Sequence, residues 1–376
     1  ILLKKKGQMR AMVSHITYFQ SIPPRNAYFA GANTPKGFVS DYAEFFREET
    51  YTKVYIVKGG SGTGKSTLIR RCADQAVKSG AACTYILCSS DPESLDGVLL
   101  HRGDIHIAVV DGTAPHTLDP VYAGCCGEII NCGDFWDTCA LENAREEIVQ
   151  TVQKKSDCFL RAYRYLAGAS SVLSAAGQFS RDLILQEKLE KCVSRLAASF
   201  KNMEEGGSVL NRRTLAISMN GAVRVSTFNA AQTCIAIKDC AAASCVFLES
   251  LEKVLLDKGI PVIRSLSPLG GIAELYLPCQ DTAFVPYIED VDRQRAYTKI
   301  INMQRFVNKD VLSANRQKRR FAEKCFASLM EGATESLAEA KKLHFRLEDI
   351  YKSTMDFAGL DLFSASLSDK IAKRFQ

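Results

Sequence analysis

No apolar run in this sequence approaches the roughly 20 consecutive residues that a helix needs to cross a bilayer, which argues against a membrane-spanning helical protein. The opening stretch, Ile1–Phe19, carries lysines but lacks the apolar core and small-residue cleavage site of a signal peptide. It also lacks an opening Met, so either Met9 or Met12 is the start or the sequence is a fragment. No CxxC pair occurs among the 14 cysteines, and the run Cys125, Cys126, Cys132, Cys139 has no recognisable zinc-ligand spacing. Scattered cysteines in a long chain are expected to be reduced and structural, which places the protein in a cytoplasm. A strong charge of either sign is missing too. A net charge of +6 over 376 residues permits phosphate contacts but does not point to nucleic acid. The remaining balance, 47% hydrophobic and 24% charged, is that of an ordinary globular chain with room for two domains.

The first half reads as strand, glycine loop, helix, strand, strand and long helices. Lys53–Lys58 is a β-branched run ending at glycines, and Ser66–Lys78 carries helical apolar spacing at Leu68, Ile69, Cys72 and Ala76, closed by Gly80. Thr84–Cys88 and Ile105–Val110 read as further strands, so a parallel sheet covered by helices is expected. The second half repeats this order at an offset of about 180 residues, which argues for duplication. Gln232–Lys238 aligns with Lys53–Lys58, Asp239–Val246 with Gly59–Ser66, Asp257–Gly259 with Lys78–Gly80, and Pro261–Arg264 with the strand ending at Cys88. Upstream, Leu215–Val225 echoes Tyr28–Val39 more faintly. Helical stretches follow each unit. In the first, a Gly/Ala/Ser-rich break at Ala167–Gln178 is expected to turn the helices into a hairpin, and the second has a helical region over Arg293–Tyr351. With Glu204–Asn211 as linker, the copies span 1–206 and 207–376.

The residues Gly59, Gly60, Ser61, Gly62, Thr63, Gly64, Lys65 and Ser66 fit G-x-x-x-x-G-K-[ST] without departure. Glycines let backbone N–H groups close on phosphate oxygens, and the following helix turns its positive end to the same anion. Lys65 has the reach for the β- and γ-phosphates, the Ser66 hydroxyl can ligate Mg²⁺, and Thr67 adjoins the site. These features predict binding of ATP, or another nucleoside triphosphate, with Mg²⁺. Asp111, at the end of an apolar strand, is the expected second Mg²⁺ anchor. No carboxylate follows it in Gly112–His116, so a water-activating base must come from elsewhere. His116 is a candidate, against the plainer reading of a loop-capping histidine. Asp91, in Ser89–Pro92, lies where ligands of α/β sheets gather, or is an ordinary turn residue. In the second loop Ser244, Cys245 and Val246 replace Gly64, Lys65 and Ser66, so nucleotide binding is not expected there.

Tyr28–Val39, the glycine loop, Asp111–His116 (DGTAPH), Asp119–Asp137 and His344–Phe357 together resemble a family of bacterial tandem P-loop ATPases of unassigned cellular role. The resemblance covers nearly the whole chain. It implies an α/β P-loop NTPase fold, duplicated, with ATP binding and hydrolysis. The lost second loop departs from the many members that keep it. Two alternatives stay open: a kinase passing the γ-phosphate to a small molecule or nucleotide, and a nucleotide-controlled interaction module with a protein partner or self-association. The basic run Arg316–Arg320 with Lys324 reads as a solvated helix face, and Arg70 and Arg71 as surface residues. Trp136, the single tryptophan, reads as a packing anchor, and His344, Glu348 and Tyr351 as one polar helix face rather than a metal site.

Overall fold

The computed structural model describes residues 17–18, 26–204, 206–287 and 297–376. Met9, Met12 and the start of the helical region expected at Arg293 lie outside the described residues. The chain forms two compact units that interleave its halves, whereas the sequence reading divides the copies at 206/207. One unit gathers the described residues within Phe19–Tyr165, Ala216–Val225 and Gly332–Gln376, and the other gathers those within Ile1–Tyr18, Leu166–Leu215 and Ser226–Glu331.

The unit that holds the glycine loop contains strands β1 (Ala27–Phe29), β2 (Lys53–Lys58), β3 (Ala82–Leu87), β4 (Leu95–Arg102), β5 (Ile105–Asp111) and β6 (Gly127–Asn131). They lie in the order β1-β3-β4-β5-β2-β6. The second unit contains β7 (Val209–Asn211), β8 (Thr233–Lys238), β9 (Val262–Leu266), β10 (Ile272–Leu277), β11 (Thr282–Pro286) and β12 (Lys299–Asn302). Their order, β7-β9-β10-β11-β8-β12, is the same. The equal topologies make the duplication a structural fact.

The expected parallel sheet is corrected by both units: each is mixed. β4 runs antiparallel to β3 and β5, and β10 antiparallel to β9 and β11. The cause is short connections, since a parallel crossover needs a dozen or more residues. Gly103, at φ 57°, and Asp104 join β4 directly to β5. β4 itself was not anticipated, and Glu204–Asn211, read as linker, ends in edge strand β7.

The main helices are α1 (Lys65–Lys78), α2 (Arg145–Leu183), α3 (Gln186–Ala197), α4 (Ala243–Asp257), α5 (Arg316–Lys352) and α6 (Phe357–Ala372). The break expected at Ala167–Gln178 does not occur. Alanine is the strongest helix former, and Gly168 faces Leu329, so α2 runs on to Leu183 and the chain turns only there.

In each unit the α/β layer is covered by helices from the other half of the chain. In the glycine-loop unit α6 buries Leu360, Leu367 and Ile371 in one core with Leu68, Ile69, Cys72 and Ala76 of α1. In the second unit α3 buries Leu189, Val193 and Ala197 with Phe247, Leu251 and Leu255 of α4. Matched backbone bonds close both arrangements. Asp137 N–H donates to Thr354 O at 2.8 Å and Asp356 N–H to Phe135 O at 2.7 Å. Asn308 N–H donates to Leu183 O at 2.9 Å and Leu185 N–H to Phe306 O at 2.8 Å. The two hairpins that echo each other in sequence share a turn. Thr34 Oγ1 donates to Gly37 O at 2.7 Å, and Ser218 Oγ to Gly221 O at 2.8 Å.

Because each apolar sheet face needs the other half's helices, fragments 1–206 and 207–376 made separately are expected to be unfolded or aggregated. Mixing them during refolding should restore native circular dichroism. A fragment that is monomeric and cooperatively folded alone would contradict the exchange.

Candidate functional site

Strand β2 ends in Lys58, and the chain turns through Gly59–Gly64 into α1. Two glycines are required by both conformation and space. Gly62 has φ 74°, and a Cβ there would sit 2.9 Å from the backbone of Glu348. Gly64 has φ 84°, and a Cβ would meet Leu360 at 2.8 Å. Any other residue would strain the loop at both positions, and at Gly62 it would also press on the α5 backbone. Thr63 is buried, its hydroxyl donating to Gly60 O at 2.9 Å. The Lys65 ammonium donates to Gly59 O at 3.1 Å and Gly60 O at 2.6 Å and lies 3.7 Å from Asp111 Oδ2. That approach exists because β5 pairs directly with β2, Val57 facing Asp111 across the ladder.

Asp111 Oδ1 accepts from the N–H and hydroxyl of Thr113, which fixes the carboxylate and turns Oδ2 toward Lys65. Ser66 Oγ accepts from Leu95 N–H at 2.9 Å, so the start of β4 fixes the hydroxyl beside the next residue, Asp96. Asp96 was missed in the sequence reading. Its signal was a lone carboxylate in an otherwise apolar run, Leu95–Leu100, which reads as a strand only once β4 is recognised. Burial, then the charge of Asp111, pushes its carboxyl up to about 7. Ligand atoms of Asp96, Asp111 and His116 lie within 4.8 Å of one another.

His116 is placed in the site. Its ring stacks on Tyr42 at 4.5 Å, and Nε2 lies 4.0 Å from Asp96 Oδ2, beyond hydrogen-bond range. Burial pulls its pKa down, which favours the neutral ring, and its Nδ1 has no partner. Asp91 also reaches the cavity, with one buried carboxylate oxygen lacking a partner, and burial raises its carboxyl.

These groups line a cavity of about 980 Å³ within the glycine-loop unit, together with all the loop residues and exposed Thr67. The lining is completed by α2 (Lys155, Phe159, Tyr163) and by α5. The helix face read from the sequence, His344, Glu348 and Tyr351, does turn into the cavity. Glu348 accepts from His344 Nε2 at 3.2 Å and Lys352 Nζ at 2.7 Å. Tyr351 covers Gly60 and meets Trp136, ring centres 5.9 Å apart. Arg70 is exposed, and Arg71 donates to Asp361 O at 2.8 Å. Among the described residues all cysteines are free and none joins a metal-holding group; Cys88 lines the cavity and Cys132 lies against Gly59.

The donor set suits Mg²⁺. A hydroxyl and one or two carboxylates are hard oxygen ligands, and Mg²⁺ takes its remaining ligands from waters and phosphates. The His116 nitrogen falls outside that preference.

The loop of the second unit is filled by its own chain. Asp239 replaces Gly59, and its carboxylate accepts from Ala242 N–H at 3.1 Å and Ser244 N–H at 2.8 Å. Ala241 and Ala242 hold left-handed φ values of 55° and 60°, so the backbone keeps a curled shape without glycine. Cys245, in place of Lys65, contacts Glu249 at 3.3 Å.

Hydrogen bonding from His344, ahead of that from Lys352, holds the Glu348 carboxyl down at about 2. The depressed value means the folded state favours the ionised form. The resulting stability is present above the unfolded value of 4.5 and is lost as pH falls from there through about 2. Glu348→Gln is therefore expected to lower stability at pH 7 by on the order of 1 kcal/mol, after allowance for solvent screening. The difference should vanish near pH 2 in urea titrations, and one that persists there would contradict the ion-pair origin.

Among the described residues no helix is long and apolar enough to cross a membrane. Comparison with protein-family models, with curated proteins and with solved structures finds no match for this chain.

Proposed function

We propose that the glycine-loop unit binds a nucleoside triphosphate, ATP in the first instance, with Mg²⁺ and catalyses its hydrolysis, while the second copy binds none. The observation that carries this reading is the placement of Lys65. Its ammonium sits between two loop carbonyls and Asp111, at the wall of a cavity lined by every residue of the loop. On this reading the chain adopts a P-loop NTPase fold and belongs with the bacterial tandem P-loop ATPases that its motifs resemble.

Each group has a role that follows from its chemistry. Loop N–H groups and the α1 N-terminus receive the phosphates, with positive backbone dipoles aimed at negative oxygens. Lys65 exchanges its loop carbonyls for β- and γ-phosphate oxygens, which are stronger acceptors. Ser66 and Asp111 would hold Mg²⁺, which would neutralise charge on the terminal phosphates. Catalysis then rests on position and electrostatics, since the phosphoryl group carries its charge on oxygens that these donors surround.

A second reading, transfer to an acceptor other than water, draws on one further observation. A Cβ at Gly112 would lie 2.4 Å from Ile56 and 2.9 Å from Leu118 O. No side chain fits directly after Asp111, so the position where many hydrolases keep a water-activating glutamate is closed here.

Lys65→Ala is expected to reduce Mg–ATP affinity by at least about 100-fold, as measured by calorimetry. Unchanged affinity would sink the proposal. Phosphate release by the unaltered protein, followed with and without added small-molecule and nucleotide acceptors, separates the two chemistries. Release without acceptor supports hydrolysis, and ADP formation only with an acceptor supports the kinase.

A further inference from the structure

Lys155 projects from α2 into the wall of the cavity that holds the loop. Among the described residues it makes no hydrogen bond or ion pair, unlike Lys58, which pairs with Asp119, and Lys352, which pairs with Glu348. Its charged surroundings are adverse. Burial lowers its pKa first, and the positive charge of Lys65 lowers it further; only the Cys88 thiol acts in the other direction. Two ammonium groups facing one cavity, one of them without a counter-ion, are costly to the folded protein. Long flexible lysines normally escape such a position by extending to water. Here Phe159, one helical turn on from Lys155 and also partly buried, lines the same cavity and keeps this face of α2 at its wall.

Resting on the nucleotide reading above, we infer that Lys155 is a second phosphate-contacting residue, which reads the terminal phosphate and so separates a triphosphate from a diphosphate. Lys65 is tied to the loop carbonyls and Asp111, whereas Lys155 comes from α2, a different element lining the same cavity, and among the described residues is held by no such partner. An anion between the two ammonium groups removes their repulsion and gives Lys155 its missing partner. No local pattern marks this residue, because Lys154 and Lys155 sit together in a polar helical stretch and only the fold turns one of them inward.

The test uses the full chain with Mg²⁺ and compares ATP and ADP binding by calorimetry for the unaltered protein, Lys155→Met and Lys155→Arg. The expected result is a loss of about tenfold or more in ATP affinity for Lys155→Met, and of less than about threefold in ADP affinity. Lys155→Arg should keep most of the preference. Without nucleotide, Lys155→Met should also raise Tm, since it removes an uncompensated charge; a purely structural lysine would lower it. An ATP-to-ADP affinity ratio unchanged in Lys155→Met overturns this inference alone. Failure of the unaltered chain to bind either nucleotide overturns it together with the proposed function.

Discussion

The backbone of Gly62 and the backbone of Glu348 come so close that a single added carbon would sit 2.9 Å from its neighbour. Much of the glycine-loop unit depends on that approach. It requires a glycine with a left-handed backbone at one turn of the loop and an uninterrupted helical turn of α5 at Glu348. The approach brings His344, Glu348 and Tyr351 into the same cavity as Lys65 and Asp111. The loop is thus completed by a helix nearly 300 residues later in the chain, whose own position is fixed by the Asp137–Thr354 and Asp356–Phe135 backbone bonds. The second unit repeats the bonds between Phe306–Asn308 and Leu183–Leu185. Exchange of helices is therefore part of the inherited plan, present in both copies.

Against that shared plan, the two loops differ by where the negative charge comes from. The first loop presents its N–H groups and an ammonium to the cavity. In the second, Asp239 supplies a carboxylate to the N–H groups of Ala242 and Ser244, much as a capping aspartate satisfies the start of a helix. Loss of glycine and lysine left backbone donors that still needed an acceptor, and one substitution at the first loop position provides it. The copy retains the curl and the core, with Phe247 and Leu251 fully buried, and carries Cys245 where the first loop has Lys65.

What the sequence made legible was local. The loop, its flanking strand and helix, and Asp111 could be placed because their chemistry is carried by neighbouring residues. The repeat was legible because its segments kept their order. β4 was not, since Leu95-Asp96-Gly97 breaks the apolar run that identifies a buried strand, and with β4 went both the mixed sheet and Asp96. The long course of α2 was hidden by Gly168 and the serines near it, which suggest a break in isolation and are tolerated once Leu329 packs against the glycine. Helix exchange and the inward turn of Lys155 depend on contacts between residues far apart in the chain, which no local pattern records.

On the proposed function, one loop of the two accepts a nucleotide. Titration of the full chain with ATP in the presence of Mg²⁺ by isothermal calorimetry tests it most directly. One nucleotide per chain is expected, with binding abolished when Mg²⁺ is chelated or Lys65 is replaced. Two nucleotides per chain, or none, would contradict it.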